Sequence, residues 1–298
     1  MFQSSSSCFI TLCKKSGYSS ASSLNKLKSI LKVKKAGFCG TLDPIAEGVI
    51  VVAINKATKL IRLVTSLDKC YSGKLKLGYT SPSYDTETEL KNSGVKVDIS
   101  TLDIPLLEKT FKGEIEQEPP SYSALKVSGK RAYQLARKGL NPTLPSRKVT
   151  INSLKLSVAS CDELIFKVSC SKGTYIRSLV NDIGLKTGYG AVLTELVREK
   201  VGDFNIEDSV SIDDLKKDPA LLEKKGMTVI DVFLSRFNKL EIDRTQYNYL
   251  RNGNDISESG LEFPEGFSYL KYSGSPAFLI ENRGGVYRYF AFLRDEND

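Results

Sequence analysis

Apolar residues recur along the chain with two periods. Leu24, Leu27, Ile30 and Leu31 fall on one helical face with the lysines mostly opposite, so residues 22–34 read as an amphipathic helix. Gly37, Gly40 and Pro44 then break the pattern and leave Asp43 on a loop, where an aspartate before proline is held away from helical geometry. The unbroken apolar run 49–54 reads as a short buried strand, and residues 58–67 read as helical. Residues 70–77 alternate, with Tyr71, Gly73, Leu75 and Leu77 on one side and Ser72, Lys74 and Lys76 on the other. Residues 149–158 are strand-like with a change of phase near Ser153, and Leu164, Phe166, Val168 and Cys170 form another alternating strand. A turn at 171–174 leads into a helix with the buried stripe Ile176, Leu179, Val180 and Ile183, which Gly188 and Gly190 end.

Strands and helices mixed without regular βαβ alternation predict an α+β fold. The charged stretch 213–225 reads as an inter-domain connection. It divides a large domain, 1–227, from a small β-rich one, 228–298, where strand-like runs occur at 267–272, 277–280 and 286–293. That second segment holds eight basic and eleven acidic residues, which argues against a dominant role in binding a polyanion.

Composition narrows the chemistry. The 298 residues include no histidine, so Ser-His-Asp and Cys-His catalysis, His-ligated metals and His proton shuttles are excluded. Tryptophan is absent too, leaving Tyr and Phe for stacking on bases. Cys8, Cys13, Cys39, Cys70, Cys161 and Cys170 contain no C-x-x-C pair, which predicts reduced, mostly buried thiols and a cytoplasmic protein. The N-terminus shows no basic region before an apolar run, residues 8–13 are too short for a signal core, and the longest apolar run is too short to span a membrane.

Forty-three Lys and Arg against thirty-five Asp and Glu give a net charge of +8, and the excess is segregated. Residues 1–42 contain seven lysines and no carboxylate; residues 121–150 contain Lys126, Lys130, Arg131, Arg137, Lys138, Arg147 and Lys148 and again no carboxylate. Such segregation is the footprint of a polyanion site. Tyr122 and Tyr133 lie among the second set of bases, a mixture suited to looped RNA whose exposed bases can stack. Asp43 is the first carboxylate of the chain, and its cationic surroundings favour its ionised form. On these grounds alone it could be a nucleophile, a base or an ion-pair anchor.

The stretch 36–49, Ala-Gly-Phe-Cys-Gly-Thr-Leu-Asp-Pro-Ile-Ala-Glu-Gly-Val, resembles the active-site motif of the TruB family of tRNA pseudouridine synthases. Four further stretches resemble the same family in order. They are Lys14 to Ser20, with Lys15 where the family has proline, and Lys69 to Gly73 continuing to Asp85. Next come Gln117 to Lys126 with Gly129, Tyr133, Ala136, Arg137 and Gly139, and then Cys170 to Leu179. Leu196, Arg198, Gly202 and Phe204 resemble the closing strand, so the likeness spans roughly residues 10–215, with a weak echo in Leu250 to Gly253.

The resemblance implies an α+β pseudouridine synthase domain with a mixed or antiparallel sheet and flanking helices, followed by a PUA-like domain. It implies isomerisation of the T-loop uridine 55 of tRNA without cofactor or metal, after the base is flipped from its stack. Asp43 would be the catalytic aspartate, Arg177 its ion-pair partner, and Tyr71 the ring that stacks on the target base and serves in proton transfer. The basic insertion at 123–148 would grip the RNA through Lys126, Lys130, Arg131, Tyr133 and Arg137, helped by Tyr122, Lys172 and Tyr175. Phe38 stands where the family has histidine and would act as an apolar wedge. The chain would work as a monomer, without an obligatory protein partner or a membrane. The competing readings are a non-catalytic RNA-binding protein or tRNA-folding chaperone, the catalytic subunit of a guide-RNA particle, and a glycoside hydrolase pairing Asp43 with Asp85.

Overall fold

A computed structural model describes residues 3–294 apart from Ala124, Ser128, Asn141 and Thr143. Ala124, within the insertion motif, therefore lies outside the described residues, as do both chain ends. Among the described residues an eleven-stranded mixed sheet forms the frame. Its main path runs Val210–Ser211, Cys8–Lys14, Glu47–Ile54, Ala191–Val201, Lys69–Leu77, Glu163–Cys170, Arg147–Val158 and Gly113–Gln117. Most neighbours are antiparallel; Val197↔Glu47 and Leu12↔Val210 are parallel contacts. The helices Ser20–Leu31, Ile104–Phe111 and Ile176–Thr187 supply apolar faces to the larger core cluster.

The alternating strands follow from their side chains. In Lys69–Leu77 the residues Tyr71, Leu75 and Leu77 are buried, and the lysines between them are half exposed. The register of Arg147–Val158 shifts between Ile151 and Ser153, the bulge that the change of phase there predicts. The run 49–54 lies within the longer strand Glu47–Ile54, buried on both faces after its first residue. Two helices differ from expectation at their ends. The first runs Ser20–Leu31, capped by the Ser19 side chain and stopped by Lys32 in the left-handed region, so 32–34 are not helical. Residues 58–67 enter through a 3-10 turn, Asn55–Leu60, before the short α-helix Ile61–Ser66.

The charged stretch 213–225 is not a free connection. It forms the helices Ile212–Lys217 and Leu221–Lys224, whose Leu215 and Leu222 are fully buried in the main core, and Met227–Val229 then pairs antiparallel with the first strand. Beyond it, Asn238–Glu241, Gly266–Tyr272, Ser275–Arg283 and Val286–Phe292 make a separate four-stranded sheet. Phe9 and Phe233 lie 4.7 Å apart in a second apolar cluster that also takes in Tyr269, Leu279 and Leu293, fastening this small sheet to the back of the large one. No helix among the described residues is long and apolar enough to cross a membrane.

Candidate active site

The loop bearing Asp43 joins Ala36–Phe38 to Glu47–Ile54 and is fixed from beneath. Lys14 ends the first strand in phase with Ile10 and Leu12, and is 1% exposed. Its ammonium donates to the carbonyls of Lys15 (3.1 Å), Tyr18 (2.8 Å) and Pro44 (3.2 Å). Burial lowers this lysine to about 8, against the attraction of Asp43 and Glu47. The Ser20 hydroxyl accepts from the Leu42 amide at 2.9 Å and donates to the Leu42 carbonyl at 3.1 Å. Gly17 N–H donates to the Pro44 carbonyl at 2.8 Å. The stretch 14–20 thus forms the floor of the loop. Lys14 therefore leaves the lysine-rich surface to which the charge pattern assigned it, and Lys15 is held by Asp213 at 2.8 Å.

Arg177 meets the loop from the other side. It is the second residue of Ile176–Thr187, and the preceding residue is pinned: Tyr175 N–H donates to Gln117 Oε1 at 2.7 Å, and Gln117 Nε2 donates to the Tyr175 carbonyl at 3.0 Å. The Arg177 side chain is 4% exposed, and its Nε lies 2.9 Å from Asp43 Oδ2, while the Asp43 side chain keeps 37% exposure. Nη1 donates to the Ser83 carbonyl at 3.2 Å and lies 3.5 Å from Asp85 Oδ2; Nη2 donates to the Tyr122 carbonyl at 3.1 Å. One guanidinium therefore joins the aspartate loop, the 81–87 loop and the start of the basic insertion.

Asp85 has no exposed surface. Its Oδ1 accepts from the Ser83 hydroxyl at 2.5 Å and from Glu87 N–H at 2.9 Å, and Oδ2 finds no hydrogen-bond donor, only the charge of Arg177. Glu87 in turn accepts from Ile45 N–H at 3.2 Å, and burial, with Asp85 beside it, pushes its carboxyl upward. Of the two carboxylates that Arg177 meets, Asp43 keeps a path to solvent and Asp85 does not, so Asp85 supports Asp43 from behind Arg177. A glycosidase needs both carboxylates to face the substrate across the scissile bond, so this placement removes the hydrolase reading.

Tyr71, 8% exposed, stands across from Val168 on one neighbouring strand and Arg198 on the other. Burial raises its phenol; Arg198 acts in the opposite direction, and Asp43 adds to the rise. Gly48 allows the sheet to close here. Its φ is +106°, and a Cβ would come within 2.3 Å of the Arg198 carbonyl oxygen, so any side chain would part the two strands.

The remaining predicted residues sit around this centre. Phe38 ends the edge strand Ala36–Phe38, opposite Val52, and packs half-buried against the main core. Lys126–Val127 and Lys130–Arg131 form a small hairpin that leads into the one-turn helix Ala132–Ala136. Lys126, Lys130, Arg131 and Arg137 are exposed there, and the Arg137 guanidinium lies 5.6 Å from the Tyr133 ring centre. Tyr122 is half-buried and Lys172 exposed; the Arg147 guanidinium covers the Tyr175 ring at 4.4 Å. Among the described residues no three Asp, Glu or Cys side chains gather as a metal site.

Three supporting residues escape a reading of residue types alone: Lys14, Asp85 and Arg198. The available signal is phase, since Lys14 continues Ile10 and Leu12, and Arg198 follows Leu196 on the apolar side of its strand.

Comparison with known proteins places this geometry in context. Residues 28–176 match the family model "TruB family pseudouridylate synthase (N terminal domain)", and residues 177–236 match "tRNA pseudouridylate synthase B C-terminal domain". The tRNA pseudouridine synthase B of Clostridium perfringens (strain 13) is 40% identical over 276 residues, 91% of this chain and 92% of that protein. That of Clostridium acetobutylicum is 36% identical over 272 residues, covering 91% and 93%, and that of Lactobacillus acidophilus 35% over 289, covering 94% and 95%. A crystal structure of a Cbf5-Nop10-Gar1 complex shares the fold, with TM-score 0.67, 24% identity and coverage of 92% of this chain and 78% of that one.

Proposed function

The chain belongs to the TruB family of pseudouridylate synthases, and on that premise we propose that it is a tRNA pseudouridine synthase converting the T-loop uridine 55 to pseudouridine. The reaction breaks the N1–C1′ bond, turns the uracil and joins C5 to C1′; C5 loses its proton and N1 gains one. The observation that carries the reading is Arg177, which from a buried position stands against Asp43, the solvent-accessible one of its two carboxylate partners. A carboxylate held by a buried cation has its direction toward the incoming base set before substrate arrives.

In this reading Asp43 enters the reaction, while Arg177 and the buried Asp85 fix its direction. Tyr71 offers its ring to the uracil and its hydroxyl to proton transfer. Phe38 fills the space that the flipped base leaves, since an apolar side chain can offset part of the unstacking cost of a few kcal/mol. The exposed cations of the insertion grip the phosphates, with Tyr122, Tyr133, Lys172 and Tyr175 beside them. The small C-terminal sheet serves as a PUA-like platform. We place the enzyme in the cytoplasm, where its six free thiols stay reduced, and read it as a monomer needing no protein partner.

The test is tritium release from a tRNA transcript carrying C5-labelled uridine, with purified protein alone. The reading expects release of one uridine equivalent per tRNA, and none when position 55 is cytidine. Absence of release, or release independent of position 55, overturns it.

A further inference from the structure

Arg198 is a cation that nothing in the proposed chemistry uses. It is 2% exposed, on the strand Ala191–Val201, where that strand touches Glu47–Ile54 and Lys69–Leu77 at once. Its Nε donates to the Val49 carbonyl at 2.7 Å and its Nη1 to the Thr41 carbonyl at 3.1 Å. Thr41 lies two residues before Asp43, so the guanidinium ties the catalytic loop to the start of the strand that follows it. Nη2 is buried with no hydrogen-bond partner. A buried guanidinium edge without a partner is costly, and structural arginines normally spend all their donors.

The direction of that edge is set by the sheet. Arg198 and Tyr71 are direct partners across an antiparallel pair, so their side chains rise from the same face as neighbours. Three ionisable groups face the Tyr71 phenol from the packed elements: Arg198, Cys170 from Glu163–Cys170, and Asp43 from the loop. Arg198 is the one cation among them. The buried thiol of Cys170 is itself pushed up to about 12 and stays neutral.

We propose that Arg198 is a positioning residue of the isomerisation, one guanidinium that fixes the backbone carrying Asp43 and sets the Tyr71 hydroxyl beside it. The two groups then meet the uracil in one frame, and a positive charge stands behind the phenol oxygen whenever it gives up or receives a proton. The direction of its effect on Tyr71 agrees: burial raises the phenol, and Arg198 draws it back down. This inference rests on the synthase reading, and its test is separable from it.

The test places 3-fluorotyrosine at position 71 of the full chain, where its more acidic phenol titrates within the folded range and its fluorine gives one site-specific NMR signal. Arg198→Gln should move that ionisation to higher pH and lower kcat by about 100-fold, with KM for tRNA little changed, as expected when reacting groups are misplaced but the RNA grip is intact. Arg198→Lys keeps the charge but cannot span Thr41 and Val49 together, so it should restore the ionisation largely and kcat only in part. A purely structural arginine would lower thermal stability and leave the fluorine titration of the folded protein where it was, and that result overturns the proposal. If the Gln variant does not fold, the Lys variant decides: kcat equal to wild type, or a KM effect alone, also overturns it. Tritium release by the wild-type enzyme is scored separately, so failure of the synthase reading is not confused with failure of this one.

Discussion

Two windows of the chain carry the same charge pattern, seven cations and no carboxylate, yet the fold buries a cation of the first, Lys14, beneath the Asp43 loop and keeps most of the second on an exposed hairpin. In residues 1–42 the key cation turns inward. Lys14 is buried and holds the Asp43 loop by three carbonyls, Lys15 is tied to Asp213, and Lys26 lies 4.1 Å over the Tyr18 ring. In residues 121–150 most of the cations stay outside, Arg147 alone being half-buried against the Tyr175 ring. Lys126, Lys130, Arg131, Arg137 and Lys138 are exposed on a hairpin of two-residue strands and a single helical turn, and Ala132, Ala136 and Leu144 are its buried apolar residues. Under the proposed function the difference matches two tasks. Chemistry needs a carboxylate held to a fraction of an ångström, which takes buried cations fixed by their surroundings. Gripping an RNA loop needs charge on an adaptable surface, where each neutralised phosphate adds a modest and screened increment. Charge counted along a sequence does not separate the two; the phase of each charge relative to the apolar pattern does.

The sharpest way to break the comparison is to empty the inner network. Arg177→Met leaves Asp85 buried without its cation, so unfolding free energy should fall by roughly 3–5 kcal/mol, and turnover by the folded fraction should fall by roughly 10³-fold. Urea titration and single-turnover assays measure the two effects separately; a loss confined to stability would show that Arg177 does nothing for Asp43.

Lys14→Met should follow, with kcat lower by about 100-fold through the loosened loop and tRNA affinity nearly unchanged. Its ionisation supplies a pH signature. Because burial brings Lys14 to about 8, below its ordinary 10.5, the unfolded chain binds a proton that the folded one has released between those values. Its contribution to stability therefore rises with pH across that window. Turnover goes the other way: the neutral amine has two N–H groups for three carbonyls, so kcat should decline as pH rises through about 8. In Lys14→Met that alkaline limb should disappear from the kcat profile. If the limb stays, another group sets it.

The outer window should respond in binding alone. Changing Lys126, Lys130, Arg131 and Arg137 together to Gln should weaken tRNA binding and reduce the salt slope by roughly 1 for each phosphate that is no longer neutralised, with kcat at saturating tRNA kept. An unaltered slope would make this window an ordinary solvated surface. The smallest effect belongs to Phe38→Ala, a few-fold slower on folded tRNA than on a short unstructured RNA with the same uridine. Equal slowing on both substrates would mean that Phe38 serves the core it packs against.

Much of the frame is legible in the sequence because its strands are regular. The alternation of Tyr71, Leu75 and Leu77, the phase change near Ser153 and the stripe from Ile176 to Ile183 each correspond to an element in place. The stretch 213–225 reads as a connection because Leu215 and Leu222 are its buried anchors amid dense charge, and two buried positions give no visible period. Asp43 stands out through its cationic surroundings, and Arg177 and Tyr71 through the motifs that resemble the family, but their supports do not. Asp85 and Arg198 lie within stretches that resemble the family, but only the fold places Asp85 behind Arg177 and closes three strands around Arg198.

The account rests on Asp43 as the reacting carboxylate, and Asp43→Asn tests it most directly, since the change keeps shape and removes charge. Single-turnover tritium release from C5-labelled tRNA and filter binding of the same transcript should be measured side by side. The account predicts no detectable release above background with affinity within about 3-fold of wild type, because the RNA grip lies on other residues. Release that persists at a substantial fraction of the wild-type rate would contradict it.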